Sequence, residues 1–233
     1  RLQLQILAAL NRAGDAAEPL RTLLARTPEG ERGGLIASVP RLFQRSGDPR
    51  TTATMIEQAL APYTAAPATA AVALVATGRA WAHAGDDARA LAIARQAAAS
   101  DPQALGPALL ALELQPRMPE AEALVIARLQ AADAEAALRL AYVRMLTQAQ
   151  RYADAVAQLE IVTRQQPTLA PAWLNLGALQ LELKHGAAAE QALLRFIELT
   201  EPASPGASAA AASAASAAPG GRSRRATSTA CRA

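Results

Sequence analysis

The stretch GRAWAHAGDDARA, running from Gly78 to Ala90, decides how the chain is read. An apolar run ends at Gly85, aspartate follows, and a second alanine-rich run begins. Glycine followed by aspartate marks a turn, and the aspartate is a good cap for the helix behind it. The same step stands at Gly14-Asp15 and Gly47-Asp48, so the joint recurs at positions 14, 47 and 85. Pro49, behind Asp48, occupies a first helical position, where a missing N–H costs nothing. Asp15 with Glu18 has the spacing of a capping box. These joints predict helix–turn–helix units.

The second half repeats more strictly. Gly78, Ala111, Val143 and Gly177 recur at steps of 33, 32 and 34, and Ala90, Ala123, Ala155 and Ala189 take the same steps. The offset between the two series is therefore constant, from Gly78 to Ala90 as from Gly177 to Ala189. A helix, a short turn and a second helix then bring each pair to a close crossing, which only small side chains allow. Around them Leu138, Ala141, Tyr142, Met145 and Leu146 follow helical spacing.

Composition agrees. The 233 residues include 63 alanines and seven aromatics, so neither a bulky core nor a β-sandwich is expected. Alanine is the best helix former and lets helices pack closely, which predicts an all-α protein. No apolar stretch approaches the roughly 20 residues of a membrane span. The net charge is +3, but Arg222, Arg224, Arg225 and Arg232 at the end account for more than all of it. Residues 1–202 are nearly neutral, so no basic stripe for nucleic acid is expected on the folded part, and no specific nucleic-acid partner. The single cysteine, Cys231, excludes an intrachain disulfide. Arg1 begins the chain, and the apolar Leu2, Leu4, Ile6 and Leu7 follow without a polar leader. This predicts that sequence is missing ahead of it.

A period near 34 with this anatomy resembles the tetratricopeptide repeat. Trp173, Leu176 and Gly177 reproduce the family's opening W-x2-L-G, and Ala189 falls on the signature alanine of the second helix. Tyr142, Ala155, Leu159 and Pro167 match in the fifth unit. Gly78, Trp81, Gly85, Ala90, Ala97 and Pro102 match in the third. The fourth unit is short, with Gln115-Pro116-Arg117-Met118 as its turn, and Pro40 should kink or shorten the first helix of the second. The resemblance implies an α-solenoid of about six helix–turn–helix repeats in a right-handed superhelix. Degenerate pairs occupy 1–63, a linker 64–69 and fuller repeats 70–202. Residues 203–233, an Ala/Ser-rich tail with a basic end, are expected to be disordered.

Signs of catalysis are missing. His83 and His185 belong to different units and have no metal-ligand spacing beside them, so neither metal nor cofactor is expected. Asp86-Asp87 and the pair Glu120 and Glu122 sit at helix starts, where capping explains them. No phosphate loop or nucleophile elbow is present. No enzyme is expected.

What the resemblance implies is a concave groove lined by first helices that holds another protein or an extended peptide. The groove positions carried over are Val75, Arg79 and His83 in unit three, with Leu140, Arg144 and Gln148 in unit five. Unit six contributes Leu174, Ala178 and Leu181, with Asn175 placed to hydrogen-bond a bound backbone. Arg79 and Arg144 on one face would favour an acidic segment. The style is similar to that of Ala- and Arg-rich tetratricopeptide proteins of proteobacterial envelopes, which implies a periplasmic or envelope setting. Two alternatives stay open: a recognition module of a larger enzyme such as a transferase, and weak self-association through Leu193, Phe196 and Ile197 on the uncovered last helix.

Overall fold

Short segments with an apolar face become helices, most of them without a side-chain cap at the start. A computed structural model describes residues 2–131 and 135–201. Among these residues the chain forms twelve α-helices and no strand. In chain order they are α1 (Leu2–Ala9), α2 (Ala17–Arg26), α3 (Glu29–Leu42), α4 (Pro49–Leu60), α5 (Ala70–His83) and α6 (Asp87–Ser100). There follow α7 (Leu105–Leu114), α8 (Glu122–Leu129), α9 (Ala136–Gln148), α10 (Tyr152–Gln165), α11 (Ala170–Glu182) and α12 (Gly186–Thr200). Consecutive helices pair as six hairpins, closely from α5 onward; before that, α3 and α4 each pack more on α5 than on each other. First helices stack on first helices, α3 on α5, α5 on α7 and α7 on α9. Each of α5, α7 and α11 also packs on the second helix of the hairpin before it. The expected tail, 203–233, lies outside the described residues.

The crossing residues do what their spacing predicts. A Cβ at Gly78 would come within 2.5 Å of Leu110 on α7 and 3.5 Å of the Ala90 carbonyl on α6. At Gly177 it would stand 2.7 Å from Leu193 and 3.3 Å from the Ala189 carbonyl. Ala90, Ala155 and Ala189 have no exposed surface. Unit four departs: Ala123 is exposed, and Val125 is the buried residue. A 3-10 turn at Pro119–Ala121 delays α8 to Glu122, so the fourth helical position falls on Val125. That is the place held by Ala90, Ala155 and Ala189 in α6, α10 and α12.

Four hairpins close in the same way, with one residue in the left-handed region: Asn11 (φ 55°), Gly85 (79°), Gln150 (59°) and Lys184 (61°). The next amide in each donates back five residues, Arg12 to Leu7 at 2.9 Å, Asp86 to Trp81 at 3.0 Å, Arg151 to Leu146 at 2.8 Å and His185 to Gln180 at 2.9 Å. This satisfies carbonyls that the helix end would leave unpaired. Asp48 caps α4 by accepting from the amides of Arg50 and Thr51, and Asp86 caps α6 through the amide of Arg89. Asp15 does not form the expected cap. It lies inside a 3-10 turn and pairs with Arg12 at 2.7 Å, while Glu18 pairs with Arg21 rather than closing a capping box. α3 runs through Pro40 and ends two residues later. Between α4 and α5, Ala61–Tyr63 form a further 3-10 turn, and the buried Thr69 hydroxyl donates to the Tyr63 carbonyl at 3.0 Å.

Neighbouring hairpins are also tied by charge. Arg89 reaches back to Glu57 at 2.7 Å, Arg117 to Asp87 at 2.7 Å and Arg151 to Glu122 at 2.7 Å. The last junction is the most enclosed, because Glu122 also accepts a hydrogen bond from the buried Tyr142 hydroxyl. Burial first, and then the Glu122 carboxylate, pushes the Tyr142 phenol up to about 12. Beside it the buried Arg139 donates to the Leu129 carbonyl at 2.7 Å and to Gln158 at 2.8 Å, so a cation sits at the C-terminus of α8. Desolvation holds its pKa below the usual arginine range.

Two outcomes follow from these local structures. A side chain in the left-handed region costs on the order of 1 kcal/mol. Gln150→Gly and Lys184→Gly should each therefore raise urea stability by about that much, less the extra unfolded-state freedom of glycine, and Gly85→Ala should lower it. The raised Tyr142 phenol means that the folded chain prefers its protonated form. Its contribution is complete below the unfolded value near 10 and disappears as pH rises through about 12. The loss should amount to at most about 3 kcal/mol. In Tyr142→Phe the part of the alkaline loss due to this group should vanish from the denaturation midpoints.

Candidate partner-binding surface

First helices supply most of the residues lining the three cavities that follow. Between α3, α4, α5 and α7 lies a cavity of about 470 Å³, walled by Pro40, Ile56 and Ala80 and rimmed by Arg41, His83 and Arg117. A smaller cavity of about 130 Å³ adjoins it and is mostly apolar, lined by Val72, Val75, Ala76, Gly106 and Pro107. Ala37 and Arg79 line both. A third, of about 510 Å³, opens between α1 and α3 over Gln5, Gly30, Gly34 and Ser38.

The unit-three residues expected at the groove are all here, but two of them play altered parts. Val75 is only 6% exposed: its methyl groups face Gly106, where a Cβ would lie 3.1 Å away, so it forms a wall and offers no open contact. Arg79 is already committed. Its guanidinium forks onto Glu113 of the next first helix, at 3.0 and 3.2 Å. The expectation that Arg79 meets an acidic segment took no account of this pair, in which its charge is answered within the chain. His83 ends α5, exposed on the rim of the larger cavity.

None of these three cavities draws a residue from α9 or α11. On α9, Leu140 is half-buried against the core, while Arg144 and Gln148 are exposed. On α11, Leu174 and Leu181 are 41% and 56% exposed, and Asn175 and Ala178 are exposed with them. The ten residues thus divide between a cavity-bearing stretch at α5 and a flatter face on α9 and α11. His185 precedes α12 and approaches Gln180 at 2.8 Å, far along the chain from His83.

Sequence reasoning missed Arg41, Glu113 and Arg117. A signal for two of them was present. Glu113 stands one repeat after Arg79, and Arg41 precedes Arg79 by the same spacing that separates the Gly47 and Gly85 joints. Arg117 is spent on Asp87, whose carboxyl its hydrogen bonds hold below the usual range. Neither Arg41 nor Arg144 has a carboxylate within ion-pair distance among the described residues. Among the described residues no group of three or more His, Cys, Asp or Glu could hold a metal ion. No helix among them is long and apolar enough to cross a membrane.

No protein-family model matches the chain, and no curated protein matches it. Solved structures do. BtubC (BKLC) from P. vanneervenii superposes with a TM-score of 0.53 at 17% identity, over 99% of each chain. MamA, residue 41 to the end, from Desulfovibrio magneticus gives 0.48 at 15% identity, over 74% of this chain and 97% of that one. A tetratricopeptide repeat protein from Parabacteroides merdae gives 0.45 at 16% identity, over 86% and 78%. At these identities the likeness to BtubC is one of fold. Six stacked helix pairs, with first helices in one layer and a regular period through the second half, make that fold tetratricopeptide-like.

Proposed function

We propose that the chain is a non-catalytic interaction scaffold whose first-helix surface holds an extended segment of a partner protein. The observation that carries this reading is the pair of adjoining cavities across α3, α5 and α7, one apolar and one rimmed by arginine. An aliphatic side chain of the segment would fill the smaller cavity, a burial worth about 1.5–3 kcal/mol. An acidic side chain would meet Arg41 in the larger one, where a charge-assisted hydrogen bond contributes roughly 1.5–3 kcal/mol. Arg144 offers a second uncommitted guanidinium farther along, and Leu174 and Leu181 offer apolar contact. Arg79 takes a different role: with Glu113 it forms a neutral bridge over the floor shared by the two cavities.

This division of labour separates the variants. Peptides selected on the purified chain from a random display library should be enriched in an acidic residue next to aliphatic ones. Measured by fluorescence anisotropy, Arg41→Glu should weaken their binding about tenfold or more, the equivalent of about 1.4 kcal/mol or more. Glu113→Gln releases Arg79 from its partner and should tighten the same peptides. Unchanged affinity in both variants would remove the acidic-segment reading.

A further inference from the structure

Three arginines reach the larger cavity from three consecutive hairpins. Arg41 comes from α3, Arg79 from α5 and Arg117 from the turn after α7, at equal steps of 38 residues. His83, one turn beyond Arg79, joins them on the rim. Among the lining residues one carboxylate, that of Glu113, stands against them. A single carboxylate side chain meeting Arg41 would leave most of this arrangement unused.

The two ion pairs decide what remains available. Arg79 holds Glu113 through Nε and Nη2, at 3.2 and 3.0 Å, and Arg117 holds Asp87 through the same two atoms, at 2.7 and 2.9 Å. Each guanidinium is thereby fixed in orientation, and each keeps Nη1 without an acceptor among the described residues. Asp87 is outside the lining, so it holds Arg117 from beyond the cavity. Arg41 has its whole guanidinium to offer, and His83 adds a ring N–H. A carboxylate brings two oxygens and one charge to such a set of donors. A phosphate monoester brings three oxygens and a charge of about −1.5 to −2 near neutral pH, which suits a cluster of arginines better. Pro40, Ile56 and Ala80 supply an apolar wall for the carbon atoms that carry it, within about 470 Å³.

We propose that the acidic residue of the bound segment is phosphorylated, a phosphoserine or phosphothreonine whose phosphate takes N–H groups from Arg41, Arg79 and Arg117. The proposal rests on the segment-binding reading of this surface and names the residue that the segment carries. Arg144, which lines none of the three cavities, takes no part.

The test starts from a peptide pool with phosphothreonine fixed between random flanks, captured on purified residues 1–233. Recovered peptides are remade with threonine and with glutamate at the fixed position and measured by fluorescence anisotropy. The phosphorylated form should bind about tenfold or more tighter than the glutamate form, the factor expected of one further charge-assisted hydrogen bond, and the threonine form should be weakest. Arg41→Gln and Arg117→Gln should each cost the phosphorylated form about tenfold or more, and Arg144→Gln should leave it unchanged. Arg41 has no partner to lose; for Arg117, the Arg117→Lys variant keeps a charge beside Asp87 without the fork, and thermal unfolding by circular dichroism checks both. Equal affinity for the phosphorylated and glutamate forms, lost together in Arg41→Gln, would overturn the proposal and leave the acidic-segment reading standing. Capture of no peptide from this pool or from its glutamate counterpart would overturn both. Phosphopeptide binding that survives Arg41→Gln and Arg117→Gln would overturn the proposal by placing the phosphate elsewhere. Inorganic phosphate binding as tightly as the phosphopeptide would overturn it too, making free phosphate the occupant.

Discussion

From α5 onward the structure depends on how closely the two helices of a hairpin approach. At Gly78 and Gly177 a single added carbon would meet a leucine of the packed surface well inside van der Waals contact, with the carbonyl of Ala90 or Ala189 close by. Small residues there bring the backbones together and leave room for Leu110 and Leu193 to lie over the crossing. Interiors are packed without slack, so a larger side chain at such a point forces a shift costing roughly 1–3 kcal/mol or more. The alanine content, the scarcity of aromatics and the short turns all follow from this. A chain built on close crossings gains its apolar burial from many thin contacts along a stack, with no single thick core.

Charge then ties some hairpins to the one before. Arg89 with Glu57, Arg117 with Asp87 and Arg151 with Glu122 each span about one repeat. Partly exposed pairs of this kind contribute about 0–1 kcal/mol each. Their effect lies in fixing the stacking more than in holding it, and Glu122 gains further purchase from Tyr142. The same economy shapes the surface. Arg79 is consumed by Glu113 and Arg117 by Asp87, whereas Arg41 and Arg144 on the first-helix layer have no carboxylate partner among the described residues.

Much of the fold was legible because it is written in spacing. The series through Gly78 and Ala90 located the crossings, and Gly85-Asp86 located a closure with its cap. Three other closures were not legible, since Asn11, Gln150 and Lys184 take the left-handed conformation without being glycine. In each the next amide bonds back five residues; asparagine tolerates that conformation, whereas glutamine and lysine give no local warning of it. Ala123 misled for a related reason: a 3-10 turn moves the start of α8, and a residue count passes over it. At the candidate surface, spacing put Arg79 on a first helix but could not show that its charge was taken. That depends on Glu113 of a neighbouring helix, a relation between repeats that appears only when opposite charges are compared one period apart.

A stack of hairpins, each closed by such a crossing, has a particular mechanical signature, because each unit depends only on its neighbours. Native-state hydrogen exchange on a Gly78→Val variant tests this directly. The added methyl groups strike the α5–α6 crossing beneath Leu110, so protection should fall in α5, α6 and α7 while α10, α11 and α12 exchange as in the parent chain. Equal loss of protection from α1 to α12 would show one cooperative core instead, and unchanged protection in α5 and α6 would contradict the close crossing on which the rest is built.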